Sequence, residues 1–221
     1  MIFLSREEAG IQLGRLLRGK GIIADTVLGL PRGGVVVAAA VADLLECPLD
    51  VLVVRKIGHP LNREFALGAM AEDGTLLQDS AAEWANSPEL AAVIAEEKER
   101  LARYSARFHP GGPPQLKDQR VWIVDDGLAT GATMEVAVRS ARKQAAAQVS
   151  VAVPVASDTG HARLAKVSDR VIAVIEDPEF RAVGHYYQSF DQTTDDEVLR
   201  LLQTRCHSKP SPPSGTPPVN P

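Results

Sequence analysis

Cysteine is close to absent from this 221-residue chain: Cys47 and Cys206 are the only two, isolated from each other and from any C-x-x-C or clustered histidine spacing. That excludes a disulfide framework and gives no support to a zinc site; the thiols read as one ordinary buried group and one near-terminal group. The five histidines are scattered and carry no ligand spacing either. No run of eighteen apolar residues occurs, and charge enters at residues 6–8 before a signal-peptide core is long enough, so a cytoplasmic chain with no membrane partner is expected. A basic excess is also missing. The formal net charge of −4 gives no electrostatic footprint for nucleic acid. Two familiar phosphate motifs fail as well: there is no G-x-G-x-x-G, and Gly127 and Gly131 have three residues between them rather than four, with no Lys following, which is not a P-loop. No internal repeat is present.

What the chain does contain is enough apolar material, 45% of its residues, to bury a full core. At roughly 100–200 residues per domain, one domain over residues 1–206 is expected. Residues 207–221, HSKPSPPSGTPPVNP, are Pro- and Ser-rich with no apolar face and read as a disordered or polyproline tail. Element types alternate before that. Helical spacing covers residues 5–18, strands are expected at 26–30, 49–54, 149–155 and 170–175, and helices at 35–45 and 158–166. Ser87-Pro88-Glu89 opens a long charged helix to about Phe108, with EEKER placed on a solvated polar face. Residues 57–77 hold two short extended candidates, of which residues 59–64 look the most mobile. The fold class implied is α/β, a mostly parallel sheet with helices on both faces, and a C-terminal extension that ends in a helix to about Leu202. The segment before that helix concentrates four of the eight Phe and Tyr residues, which suits base stacking or simple packing on the sheet.

The most informative run is VWIVDDGLATGATM, residues 121–134. A strand delivers Asp125 and Asp126 to the rim of a sheet, where their carboxylates can accept hydrogen bonds from vicinal hydroxyls or sit near a metal. Gly127, Ala129, Gly131 and Ala132 let backbone amides approach an anion, Leu128 is the only bulky residue, and Thr130 and Thr133 add hydroxyls where a helix begins. The pattern is a phosphate cradle beside a diol reader. A ribose 5-phosphate offers that pair of groups.

VDDGLATGATM resembles the phosphoribosyl pyrophosphate (PRPP) signature of type I phosphoribosyltransferases. By that resemblance Asp125 and Asp126 bind the ribose hydroxyls, with Asp125 an indirect metal contact, and residues 128–133 wrap the 5′-phosphate. TVLGLPRGG, residues 26–34, then corresponds to the turn that holds pyrophosphate through Pro31, Arg32, Gly33 and Gly34. That turn often carries a non-proline cis peptide, for which Pro31–Arg32 is the candidate. Arg32 and Lys56, each following a strand, complete the set assigned to the chemistry. The resemblance implies Mg²⁺ as cofactor, and as partners PRPP, a nucleobase-like acceptor and a second copy of the chain. It also implies a loop that closes over the site and excludes water.

Over most of its length, to about Leu202, the chain is also similar to a bacterial predicted phosphoribosyltransferase group carrying GLPRGG, VRK and AVGxYY segments. Ala129 and Ala132 depart from hypoxanthine-guanine enzymes, which place an acid and a Lys there, and the acceptor is left open. A PRPP-sensing regulator that binds without turnover is the rival reading; the acidic balance weighs against the nucleic-acid face it would need.

Overall fold

The computed structural model describes residues 2–78 and 87–205, so the expected tail and Cys206 lie outside the described residues. Those residues form eight strands and six α-helices. In chain order they are α1 (Arg6–Gly19), β1 (Thr26–Gly29), α2 (Gly33–Leu45), β2 (Leu49–Val51), β3 (Val54–His59), β4 (Asn62–Ala71), β5 (Leu76–Gln78), α3 (Pro88–Phe108), β6 (Arg120–Val124), α4 (Ala132–Lys143), β7 (Gln148–Ser157), α5 (Asp158–Leu164), β8 (Arg170–Asp177) and α6 (Asp195–Arg205). A 3-10 turn at Val183–Tyr186 lies between the last two.

The main sheet is parallel throughout, in the order β2-β1-β6-β7-β8. Because β1 has β2 on one side and β6 on the other, the strand order reverses between β1 and β6. In open α/β sheets ligands bind at the carboxyl ends of strands at such a reversal. Both Gly-rich turns follow these two strands.

Alternation along the strands sorts the core onto two faces. Val27, Trp122 and Val124 pack with Leu13, Leu17 and Val41 of α1 and α2; Leu28, Val121 and Ile123 pack with Met134, Val138 and Ala141 of α4. Each fully buried Val or Leu contributes roughly 1.5–3 kcal/mol, and a one-residue slip would turn these sets to the wrong faces. At the edge, Asp25 takes both Nε and Nη2 of Arg120, at 2.9 and 2.7 Å, which ties the starts of β1 and β6 together.

Residues 49–54 do not form one strand. β2 ends at Val51, and the chain leaves the parallel sheet to begin β3 in a separate antiparallel sheet ordered β3-β4-β5. The two short extended segments expected nearby are therefore three strands, one of ten residues. The run around Gly68 is dense in small residues and lacks a clean alternation, which hides a strand from pattern reading.

His109 is not a bland residue. It follows α3, is 8% exposed, and its Nδ1 and Nε2 lie 3.4 Å from Asp50 and 3.3 Å from Glu72. Burial alone would lower its pKa, but hydrogen bonds and charge from both carboxylates push it up from 6.5 to about 9. Stability from this clasp is fully present below the unfolded value of 6.5 and is lost as pH rises through about 9. Thermal melts should therefore show the wild type weakening between pH 7 and 10. His109→Gln should be less stable by about 1–3 kcal/mol at pH 6.5 and flat across that window; parallel profiles for the two proteins would exclude the charged clasp.

Candidate active site

Gly29 pairs with Val124, so the turns that follow β1 and β6 leave the same sheet edge side by side. The amide of Leu30 donates to the Val124 carbonyl at 3.0 Å, which extends the contact one residue further. The peptide bond Pro31–Arg32 is cis. A Cβ added at Gly33 would land on Asp126 Oδ2, and one at Gly34 would lie 2.6 Å from Asp125 Oδ1 and 2.8 Å from its Cα. The two turns are thus stacked, glycine on carboxylate, with no room for a side chain between them.

The two acids face differently, as successive strand residues do. Asp125 lines a cleft of about 540 Å³ together with Pro31, Arg55, Lys56, Arg100 and Thr133. Asp126 turns away from it. Its Oδ2 accepts from Arg6 Nε at 2.8 Å, the two side chains being 16% and 12% exposed, and its backbone carbonyl accepts from the Tyr187 hydroxyl at 2.6 Å. Arg6 also donates Nη1 to the Asp191 carbonyl at 2.7 Å and lies 3.9 Å from the centre of the Phe190 ring. Helix α1 and the C-terminal extension therefore both close on the second acid.

Burial, and next the charge of Asp126, push the Asp125 carboxyl well above the ordinary range, while an Asp126 hydrogen bond, Lys56 and Arg6 pull it partly back. Burial also raises Asp126, against the hydrogen bond and charge of Arg6. A pair of adjacent, half-buried carboxyls gains from a cation or from hydroxyl donors brought to it.

The loop after them is anchored through Leu128, which is 2% exposed. Its amide donates to the Val155 carbonyl at 2.8 Å, its carbonyl accepts from the Ser157 amide at 2.9 Å, and Ser157 Oγ donates to the Ala129 carbonyl at 2.5 Å. Ala129 and Thr130 are left exposed, and Gly131, at φ +76°, starts α4.

Serine or threonine hydroxyls cap α1, α3, α5 and α6, through Ser5, Ser87, Ser157 and Thr194. The two helices that start from the glycine turns differ. Neither α2 nor α4 has a side-chain cap among the described residues. A helix start without a cap leaves donors and a positive dipole end for an anion, and here two such starts flank Asp125.

Of the two basic residues assigned from sequence, Lys56 lines the cleft, whereas the Arg32 side chain is 42% exposed with Nη1 3.8 Å from Asp195. The EEKER segment is not wholly on a solvated face. Glu97 is 5% exposed and accepts from Arg55 Nε at 2.5 Å and Arg100 Nη1 at 2.9 Å, because α3 lies along β3 and presents that carboxylate to the cleft. The C-terminal aromatics pack: Tyr187 sits 5.5 Å from Phe3 and 5.0 Å from Phe190, ring centre to ring centre, and Tyr186 stacks on Phe180. Sequence reading gave Arg6, Glu97 and Tyr187 no place in the site. No local motif marks them, since Arg6 meets Asp126 across 120 positions.

Among the described residues, no helix is long and apolar enough to cross a membrane, and no group of three or more His, Cys, Asp or Glu is arranged to hold a metal. The "Phosphoribosyl transferase domain" family model matches residues 13–189. A Mycobacterium tuberculosis protein named "Putative phosphoribosyl transferase" is 42% identical over 210 residues, 93% of this chain and 47% of that protein, so the chain spans about half the length of this curated relative. The crystal structure of a Thermus thermophilus protein superposes with a TM-score of 0.79 at 40% identity, covering 93% of this chain and 99% of that one. A Neisseria gonorrhoeae protein, solved with bound ppGpp, shares the fold at a TM-score of 0.50 and 16% identity, over 92% of this chain and 96% of its own. With the motif pair, the parallel sheet and these matches together, the chain belongs to the phosphoribosyl transferase family and has the type I fold.

Proposed function

We propose that the chain transfers the phosphoribosyl group of PRPP to a nucleobase-like nitrogen acceptor and releases pyrophosphate. The observation that carries this reading is the pair of uncapped helix starts, α2 and α4, set on either side of Asp125 at the β1/β6 reversal. PRPP has an anion at each end and a diol between them.

In this reading the amides of residues 129–133, with the Thr130 and Thr133 hydroxyls, hold the 5′-phosphate. Asp125 accepts from the ribose hydroxyls, and Asp126, fixed by Arg6, sets the position of its neighbour. The turn from Pro31 to Gly34 takes the pyrophosphate, with Lys56 across the cleft and Arg32 at its edge. With Mg²⁺ bound, Asp125, whose burial makes an added cation favourable, would help to hold it, and the ion would supply charge neutralisation of the leaving group. The acceptor nitrogen attacks the anomeric carbon as its bond to pyrophosphate breaks, with inversion. The protein's share is orientation and water exclusion; orientation is worth at most about 7–11 kcal/mol.

Incubation with PRPP, Mg²⁺ and a panel of purine and pyrimidine bases should release pyrophosphate with at least one of them. PRPP binding without release for any base would support a sensor instead. Gly34→Ala should weaken PRPP at least tenfold, about 1.4 kcal/mol, because its methyl group displaces the Asp125 carboxylate. Gly19→Ala, at the last residue of α1, is the control, since nothing lies within 4 Å of its Cβ; it should leave binding unchanged. Equal PRPP affinity in both variants would separate the glycine turn from the ligand.

A further inference from the structure

A second cavity of about 460 Å³ adjoins the cleft, and Arg55 and Arg100 line both. The rest of its wall is Arg103, Tyr104, Arg107 and Asp195. Four guanidiniums thus converge from β3 and α3, with Asp195 of α6 opposite.

Helix α3 supplies three of them at positions 100, 103 and 107. That i, i+3, i+7 spacing puts like charges on one face, where neighbours repel by a few tenths of a kcal/mol per pair. The acids around the wall compensate unevenly. Buried Glu97 is shared by Arg55 and Arg100, so one carboxylate serves two cations and fixes both against the shared wall. Glu96 meets Arg100 at 2.5 Å with both side chains 41% exposed, and Glu99 reaches Arg103 only at 4.0 Å, with 78% and 68% exposure respectively. Surface pairs of that kind are worth about 0–1 kcal/mol and exchange readily. Arg107 is held by Asp195 and Asp196 at 3.0 and 2.8 Å. Arg103 is therefore the least committed, and a phosphoryl group offers these forked donors stronger, bidentate partners.

We infer that this arginine-lined cavity is a second anion site, separate from the PRPP cleft, which binds the diphosphate group of a small molecule. Two sources carry that group: a nucleotide, or the pyrophosphate that the proposed reaction releases next door. Pro31, Asp125 and Thr133 belong to the first cavity alone, and Arg103 and Arg107 to the second alone. Arg107 shares Asp195 with Arg32 of the pyrophosphate turn, so Arg103, which lies outside the first cavity and pairs with Glu99, is the position whose substitution leaves the PRPP contacts intact.

The test is calorimetric titration of the full chain in Mg²⁺, with inorganic pyrophosphate and with ADP in parallel, read for a second binding event beyond the one at the cleft; PRPP is left out because its own diphosphate would compete for the second site. The wild type should bind at least one of them. Arg103→Gln should weaken that binding tenfold or more, and PRPP affinity measured separately should stay within about twofold, well under 1 kcal/mol. Arg103→Glu, which keeps the Arg107 pairs to α6, should show the same loss. Tighter binding of ADP through these arginines identifies a nucleotide as the ligand, and equal binding identifies the diphosphate alone. No binding by the wild type, unchanged affinity in the variants, or an equal loss of PRPP would overturn the second site. The reading of the first cleft falls separately, on failure of PRPP to bind the wild type.

Discussion

The geometry of the candidate site depends on the contact between the two glycines after β1 and the two carboxylates after β6. Gly33 and Gly34 reach van der Waals distance of Asp126 and Asp125 only because they have no Cβ, and because β1 and β6 are direct neighbours in register. That adjacency follows from the strand order, which follows in turn from alternating apolar strands that must be covered on both faces. Move either strand by one place and the turns separate, leaving two ordinary loops and no site between them.

The electrostatics of the contact are unfavourable by themselves. Adjacent carboxyls are half-buried together, and their partial removal from water drives both toward the neutral form. The fold relieves one of them internally, by bringing Arg6 from the first helix onto Asp126, and leaves the other facing open space between two uncapped helix starts. A protein selected for stability alone has no reason to leave a raised carboxyl and two sets of helix amides around one cleft. The proposed occupant, with hydroxyls in its middle and anions at both ends, would satisfy both.

Much of this was legible in the sequence, for identifiable reasons. The motif acids, the small-residue turns and the alternation of strands and helices are all local signals, readable within ten or fifteen residues, whereas the cis bond at Pro31–Arg32 was expected only from the family resemblance. Capping serines were equally plain, and Ser87 does accept from the Leu90 amide at 3.1 Å. What escaped was non-local. Arg6 acquires its role from a partner 120 positions away, Glu97 is drawn into the core by Arg55 across 42, and His109 meets Glu72 across 37. The antiparallel sheet escaped for a different reason: the strand around Gly68 is built from small residues whose polarity does not alternate, so only its pairing defines it.

The family and its fold establish the frame, and the acceptor lies beyond them. The central claim is narrower: the stacked turns form a single cradle for PRPP, with Asp125 as its diol reader. Isothermal titration of the wild type and of Asp125→Asn with PRPP and Mg²⁺ tests it most directly. The account predicts binding at tens of micromolar or tighter for the wild type, roughly 6 kcal/mol or more, and a loss of at least tenfold in the variant with its melting temperature preserved. Equal affinities, or no wild-type binding at concentrations able to detect that range, would contradict it.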